Sequence, residues 1–162
     1  MLRSFVAVEI PADIQSAIAR STAALQESLP KPLVRWVPAQ NVHLTIKFLG
    51  DVSPVNLERL TEAVKLEVAK HEPFSIPVGG LGAFPSPRQA RVIWIGLEVP
   101  LQLSGLLHGV EAVTAKFGYA AEDRPFSPHL TIGRVGRTVD AAGFLRIRSG
   151  LEEMVLGALG SI

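Results

Sequence analysis

The tetrapeptide His-Leu-Thr-Ile occurs twice, in "NVHLTIKFLGD" over residues 41–51 and in "SPHLTIGRV" over residues 127–135. Side chains of a strand alternate between faces, so His43 and Thr45 point one way while Leu44 and Ile46 point the other. The same holds for His129 and Thr131 against Leu130 and Ile132. Leu, Thr and Ile are good strand residues. The apolar pair anchors each strand in its lobe and leaves the polar pair on the opposite face. The copies lie 86 residues apart (43 to 129), about half of the 162-residue chain. That spacing predicts an internal duplication, with equivalent strands about a pseudo-twofold axis and the two histidines and two threonines converging on one pocket. With only two copies, and a period beyond the roughly 20–50 residues of stacked repeats, the chain is not a solenoid.

Around the motifs the periodicity switches between 2 and 3.6, the mark of a mixed α/β (α+β) chain. "SFVAVEI" predicts a strand, and Pro11 opens a helix carrying Ile14, Ile18, Leu25 and Leu29 on one stripe. After the proline-flanked "LPKPLVRWVP" comes the first motif strand, ending near Gly50. Ser53-Pro54 reads as a cap and first-turn proline for a helix with Leu57, Leu60, Val64 and Val68. "FSIPVGGLGAF" and "ARVIWIGLEV" are further strands joined by "PSPRQ". Pro100 opens a third helix, Phe126 to Val135 forms the second motif strand, and a weaker helix comes after it from about Asp140. Gly79, Gly80 and Gly82 read as a flexible turn, because no phosphate-loop pattern accompanies them.

Composition excludes several classes. Hydrophobic residues at 48% and charged ones at 19% supply a packed interior. Sixteen Lys and Arg against 15 Asp and Glu give a net charge of +1, so an anionic ligand must be held by a local cluster rather than a global field. The absence of cysteine excludes disulfides and thiolate metal sites. No stretch approaches the roughly 20 apolar residues of a membrane span, and Glu9 and Pro11 arrive too early for a secretory signal. The expectation is a cytoplasmic monomer without membrane association.

Two imidazoles in one pocket are suited to acid–base chemistry, since imidazole titrates near neutrality and the pair can hold opposite protonation states. A threonine beside each offers a hydroxyl donor for a phosphoryl oxygen. Displacement at phosphorus puts nucleophile and leaving group roughly in line, which suits histidines on opposite walls. No carboxylate neighbours either histidine, so no metal or other cofactor is expected.

The paired motifs "HLTIKFLG" and "PHLTIGR", with "RSFVAVEIP" and "RVIWIGL", resemble the 2H phosphoesterase superfamily, in particular its RNA 2′,3′-cyclic phosphodiesterases, also described as 2′-5′ RNA ligases. The resemblance spans residues 3 to about 135. It implies a single domain over 1–162 with a bilobal fold, two pseudo-twofold-related antiparallel sheets flanking a central cleft with helices outside. It also implies metal-independent opening of an RNA 2′,3′-cyclic phosphate to a 2′-phosphate, with reversible 2′-5′ ligation as an accompaniment. By position His43 corresponds to the acid for the departing 3′-oxygen and His129 to the base that activates water, while Thr45 and Thr131 hold the non-bridging oxygens. Arg134 matches a basic residue that follows the second motif, and Phe48 an aromatic position after the first, where packing is its expected job. Family members continue into a last strand, which "LGALGSI" begins but does not complete.

Lys47 falls by alternation on the face of His43 and Thr45 and is expected to meet substrate, and Trp36 is expected to flank the cleft and stack a base. Arg35, Arg88, Arg91, Arg124 and Arg137 either line a phosphate path or form solvated surface. Trp94 reads as core, and His71 and His108 as helix-surface residues. Rival readings keep the site for a small cyclic nucleotide, such as ADP-ribose cyclic phosphate, or keep the fold as a non-catalytic RNA- or nucleotide-binding module. A two-histidine metal site lacks the further ligands that metals favour.

Overall fold

The computed structural model describes residues 1–162, with seven strands and four α-helices in mixed α/β order. Strands β1 (Leu2–Glu9), β3 (His43–Val52), β4 (Pro77–Phe84), β5 (Val92–Leu97) and β6 (His129–Val135) fall where the alternation places them. So do helices α1 (Ala12–Ser28), α2 (Pro54–Val68), α3 (Leu101–Ala115) and α4 (Ala141–Glu153). Two strands complete the set, β2 (Val34–Trp36) and β7 (Ala158–Ser161). β6 starts at His129 rather than Phe126, since Pro125 and Pro128 have no N–H to give a ladder.

The chain divides into two compact units. One comprises Met1–Val8, Thr45–Ser75 and Val99–Pro128; the other comprises Glu9–Leu44, Ile76–Glu98 and His129–Ile162. The backbone of β3 passes from the second to the first between Leu44 and Thr45.

In the first unit β1 neighbours β3, and α2 packs on α3. Ser53 caps α2, its hydroxyl accepting the Asn56 N–H at 3.3 Å, with Pro54 preset in the first turn. Gly109 lets α3 approach α2, because a Cβ there would run into the Glu67 carboxylate. Hydrogen bonds from Lys70 and then His71 hold that carboxyl below the usual range, which gives His71, just past the end of α2, a partner on that helix.

Lys47 is 1% exposed. Its ammonium donates to Glu111 Oε2 of α3 at 2.8 Å and to the Ala120 carbonyl at 2.7 Å, tying β3 to the helix and to the loop beyond it. This corrects the expectation of a substrate contact: two acceptors hold the cation inside the protein. Phe48, the next residue, is 66% exposed, and its ring stands 6.2 Å from that of Phe5.

In the second unit β6, β5, β4 and β7 are successive antiparallel neighbours, and β2 and the start of β3 border the other side of β6. Leu44, Ile93, Ile95 and Leu130 lie on one face with no exposed surface, each such side chain contributing roughly 1.5–3 kcal/mol by burial. Ile14, Ile18 and Leu25 of α1 and Ile147 and Leu151 of α4 are buried in the same unit. Asp140 caps α4 by accepting the Gly143 N–H at 2.8 Å. At the far edge β7 pairs with β4: Pro77 faces Ser161 and Val78 faces Gly160.

The three glycines that suggested a flexible turn are residues of β4; Gly80 is there for its φ of 82°, and Gly79 and Gly82 for close approach. A Cβ on Gly79 would stand 2.8 Å from the Gly157 carbonyl, and one on Gly82 would meet the Trp94 ring. Gly133 has the same role in β6, where a Cβ would lie 2.9 Å from Val34 Cγ1 and 3.0 Å from the Trp36 ring.

Two stability effects are expected. Lys47→Ala strands the partly buried Glu111 and should cost about 3 kcal/mol in urea unfolding, whereas the double change Lys47→Met with Glu111→Met should recover much of that loss. Gly133→Val should overpack Val34 and Trp36 and cost about 1–3 kcal/mol by the same measurement.

Candidate active site

The two motif strands meet at equivalent residues. Leu44 faces Leu130 across the antiparallel β3–β6 pair. An antiparallel pair whose facing residues hold the same place in a repeat has a local twofold axis through that pair. Directly opposed residues share a face, so with both leucines turned into the core, the flanking His43, His129 and Thr131 emerge together on the other side. All three are half-buried. The register sets His43 on the diagonal from His129, for which Cα separations are about 7–8 Å. Thr45 is displayed on the same side of β3 as His43 and is also half-buried.

His43 Nδ1 lies 2.9 Å from the Asn41 carbonyl, which only accepts, so the contact is a hydrogen bond in the form of the ring that carries a hydrogen on Nδ1. The short turn Ala39–Asn41 ahead of β3 presents that carbonyl.

His129 is backed by an aromatic cluster that the sequence did not reveal. The Phe84 ring meets its imidazole edge to face at 4.9 Å and 90°, and Trp94 lies 5.2 Å from Phe84. Gly82 faces Trp94, and Trp94 faces Thr131, so the indole belongs to the histidine face and leans over the bare glycine. Its Nε1–H is enclosed without an acceptor. Trp94 is therefore half-buried beside the candidate site rather than in the helix-covered core.

A bulge after Thr131 decides which way the later side chains of β6 point. Trp94 faces Thr131 while Ile93 faces Gly133, which leaves Ile132 as the extra residue. Past it the faces exchange: Gly133 turns to the core beside Val34 and Trp36, and Arg134 turns out with His129 and Thr131. Strict alternation would have buried Arg134. The first copy has the same burial pattern, with Ile46 and Lys47 consecutively buried and Phe48 exposed, as Ile132, Gly133 and Arg134 are in the second.

Trp36 is on the wrong face for base stacking beside the histidines, which corrects that expectation. It faces Gly133, its indole N–H donates to the Leu29 carbonyl at 2.9 Å, and its ring lines a groove with Ile18, Ala19 and Ala23 of α1. Its neighbour Arg35 faces Arg134 directly and is exposed with it. No three His, Asp or Glu side chains gather as a candidate metal centre. His108 is exposed on α3, and His71 bonds Glu67, so the two motif histidines alone share a face. One clue to the bulge was legible, a glycine within a β-rich run. The Phe84–His129 contact joins residues 45 positions apart and had no local signal.

A family model described as LigT like phosphoesterase matches residues 8–94. Over 134 residues the chain is 36% identical to the RNA 2′,3′-cyclic phosphodiesterase of Methanothermobacter thermautotrophicus, spanning 83% of this chain and 71% of the relative. The crystal structure of E. coli LigT complexed with 3′-AMP has a TM-score of 0.65 at 30% identity, over 85% of this chain and 76% of the other. A Thermus thermophilus crystal structure has a TM-score of 0.70 at 27% identity, over 86% and 77%. With both His-x-Thr copies intact and facing each other through Leu44 and Leu130, the chain belongs to the LigT-like phosphoesterase family.

Proposed function

We propose that this protein hydrolyses RNA 2′,3′-cyclic phosphate ends to 2′-phosphates. The observation that carries the reading is the pair of half-buried histidines displayed on one face by the Leu44–Leu130 pairing. The related phosphodiesterase and the 3′-AMP complex of E. coli LigT support a nucleotide ligand.

In this reaction water attacks phosphorus, the bond to the 3′-oxygen breaks, and the phosphate stays on the 2′-oxygen. His129 takes the proton from water and His43, through Nε2, gives one to the departing 3′-oxygen. The Asn41 carbonyl keeps the His43 ring oriented for that transfer. The edge of Phe84 restricts rotation of the His129 ring. Thr45 and Thr131 donate to the non-bridging oxygens, which gain charge as the nucleophile arrives. Attack on the same phosphorus by the 5′-hydroxyl of a second RNA in place of water, again with departure of the 3′-oxygen, gives 2′-5′ ligation at the same residues. The protein acts as a cytoplasmic monomer on free RNA ends.

The test is incubation of a 2′,3′-cyclic-phosphate oligonucleotide in excess EDTA with identification of the product. A 2′-phosphate is expected, and His43→Ala and His129→Ala should each lower turnover by about 10²–10⁴-fold. Unchanged substrate, or turnover indifferent to both substitutions, would sink the proposal. The wild-type pH–rate profile should have two limbs, one missing in each single variant. In the neutral state, ¹⁵N correlation spectra should find His43 protonated at Nδ1; the Nε2–H tautomer would contradict the Asn41 contact.

A further inference from the structure

The helix-covered side of the sheet has a cationic hollow that the histidine chemistry does not use. Val92 faces Arg134 and so lies on the histidine side, which sends Arg91, one residue earlier, to the opposite side. There its guanidinium stands 5.1 Å from the centre of the Phe144 ring of α4. Arg88, in the short turn Pro87–Gln89 between β4 and β5, and Arg148, one turn beyond Phe144, complete three guanidiniums around an open hollow of 760 Å³. Pro85 and Leu145, the latter 64% exposed, form its apolar walls.

The charge in this hollow is unbalanced. Glu152 accepts from Arg148 Nε at 2.7 Å, and no carboxylate pairs with Arg88 or Arg91. The Phe144 ring holds Arg91 in place by a cation–π contact, so its fork is ordered before any ligand arrives. Guanidinium forks match phosphate oxygens, and a hollow of this size suits a ligand of nucleotide size. The cationic stretch is short, since Ala141 to Arg148 spans about 10 Å of helix. Asp140 stands at one end of it and Glu152 at the other, so a run of phosphates would meet a carboxylate on leaving the hollow. A compact diphosphate fits where a nucleic-acid strand does not.

We propose that this hollow is a second ligand site, for a nucleoside diphosphate. Arg88, Arg91 and Arg148 hold the phosphates, and the base lies against Pro85 and Leu145. The site is on the opposite side of the sheet from the histidines and does not depend on the phosphodiesterase reading.

The test titrates ADP, inorganic pyrophosphate and an oligoadenylate with hydroxyl ends into ¹⁵N-labelled protein and follows the arginine side-chain N–H signals. ADP should shift Arg88, Arg91 and Arg148 saturably. Arg88→Gln, which breaks no ion pair, should weaken the binding read at Arg91 and Arg148 about tenfold. Pyrophosphate should reach the same arginines with lower affinity, because it has no base for the apolar walls, and the oligoadenylate should fail to displace ADP. ADP shifts confined to the histidine face, or equal affinity in wild type and Arg88→Gln, overturn the site. Pyrophosphate bound as tightly as ADP overturns the nucleotide assignment, and displacement of ADP by the oligoadenylate makes the arginines an RNA contact instead. Thermal unfolding of Arg88→Gln at the wild-type midpoint excludes misfolding as the cause. Failure of the cyclic-phosphate assay would leave every one of these outcomes readable.

Discussion

The pairing of Leu44 with Leu130 is the constraint on which the site depends. Each leucine is fully buried, and each is flanked by polar residues that cannot follow it into the core. Because strand side chains alternate, one register sends both leucines inward and brings the histidines to a common face. A slip of one residue would bury an imidazole and expose a leucine in the same step. The same apolar burial that stabilises the fold therefore sets the geometry of the candidate site. That explains why the repeated unit is the whole tetrapeptide and not the histidine alone.

Beyond the tetrapeptide, the two copies meet one structural demand with different chemistry. Both bury two residues in succession, and the second of these must be reconciled with the interior. In β3 it is Lys47, whose stem fills space and whose charge is met by Glu111 and the Ala120 carbonyl. In β6 it is Gly133, which leaves room for Val34 and Trp36. A buried ion pair is costly to break but contributes little over an apolar substitute, whereas a glycine costs chain entropy and permits close packing. Both devices release the following residue to the exposed side, Phe48 in one copy and Arg134 in the other.

Local signals carried most of the fold. Caps at Ser53 and Asp140, helix-opening prolines and strand alternation are properties of a few neighbouring residues, and these elements form where such signals place them. What was hidden depends on partners distant in sequence. β2 is three residues between prolines and becomes a strand only because β6 offers it an edge. Lys47 was misplaced because alternation was carried past Ile46 and Lys47, which are buried in succession, and Trp36 because nothing local announces that its strand pairs with β6 beside Gly133. Trp94 in "RVIWIGL" looks like core by composition, yet the strand's other face is the one that holds Ile93 and Ile95. The histidines escaped such errors because they lie before the point in each strand where two residues are buried in succession.

A duplicated His-x-Thr pair does not by itself distinguish acid from base, because each half presents the same groups in the same order. Whatever assigns the roles lies outside the tetrapeptide. The structure supplies differences at three points. His43 has the Asn41 carbonyl at Nδ1, and His129 has Phe84 against its ring. Beyond the tetrapeptide, the first copy exposes an aromatic side chain and the second a cation, with Arg35 opposite it. The repeated motif is thus set in unlike surroundings, and the asymmetry that would separate an acid from a base lies in those neighbours and not in the tetrapeptide.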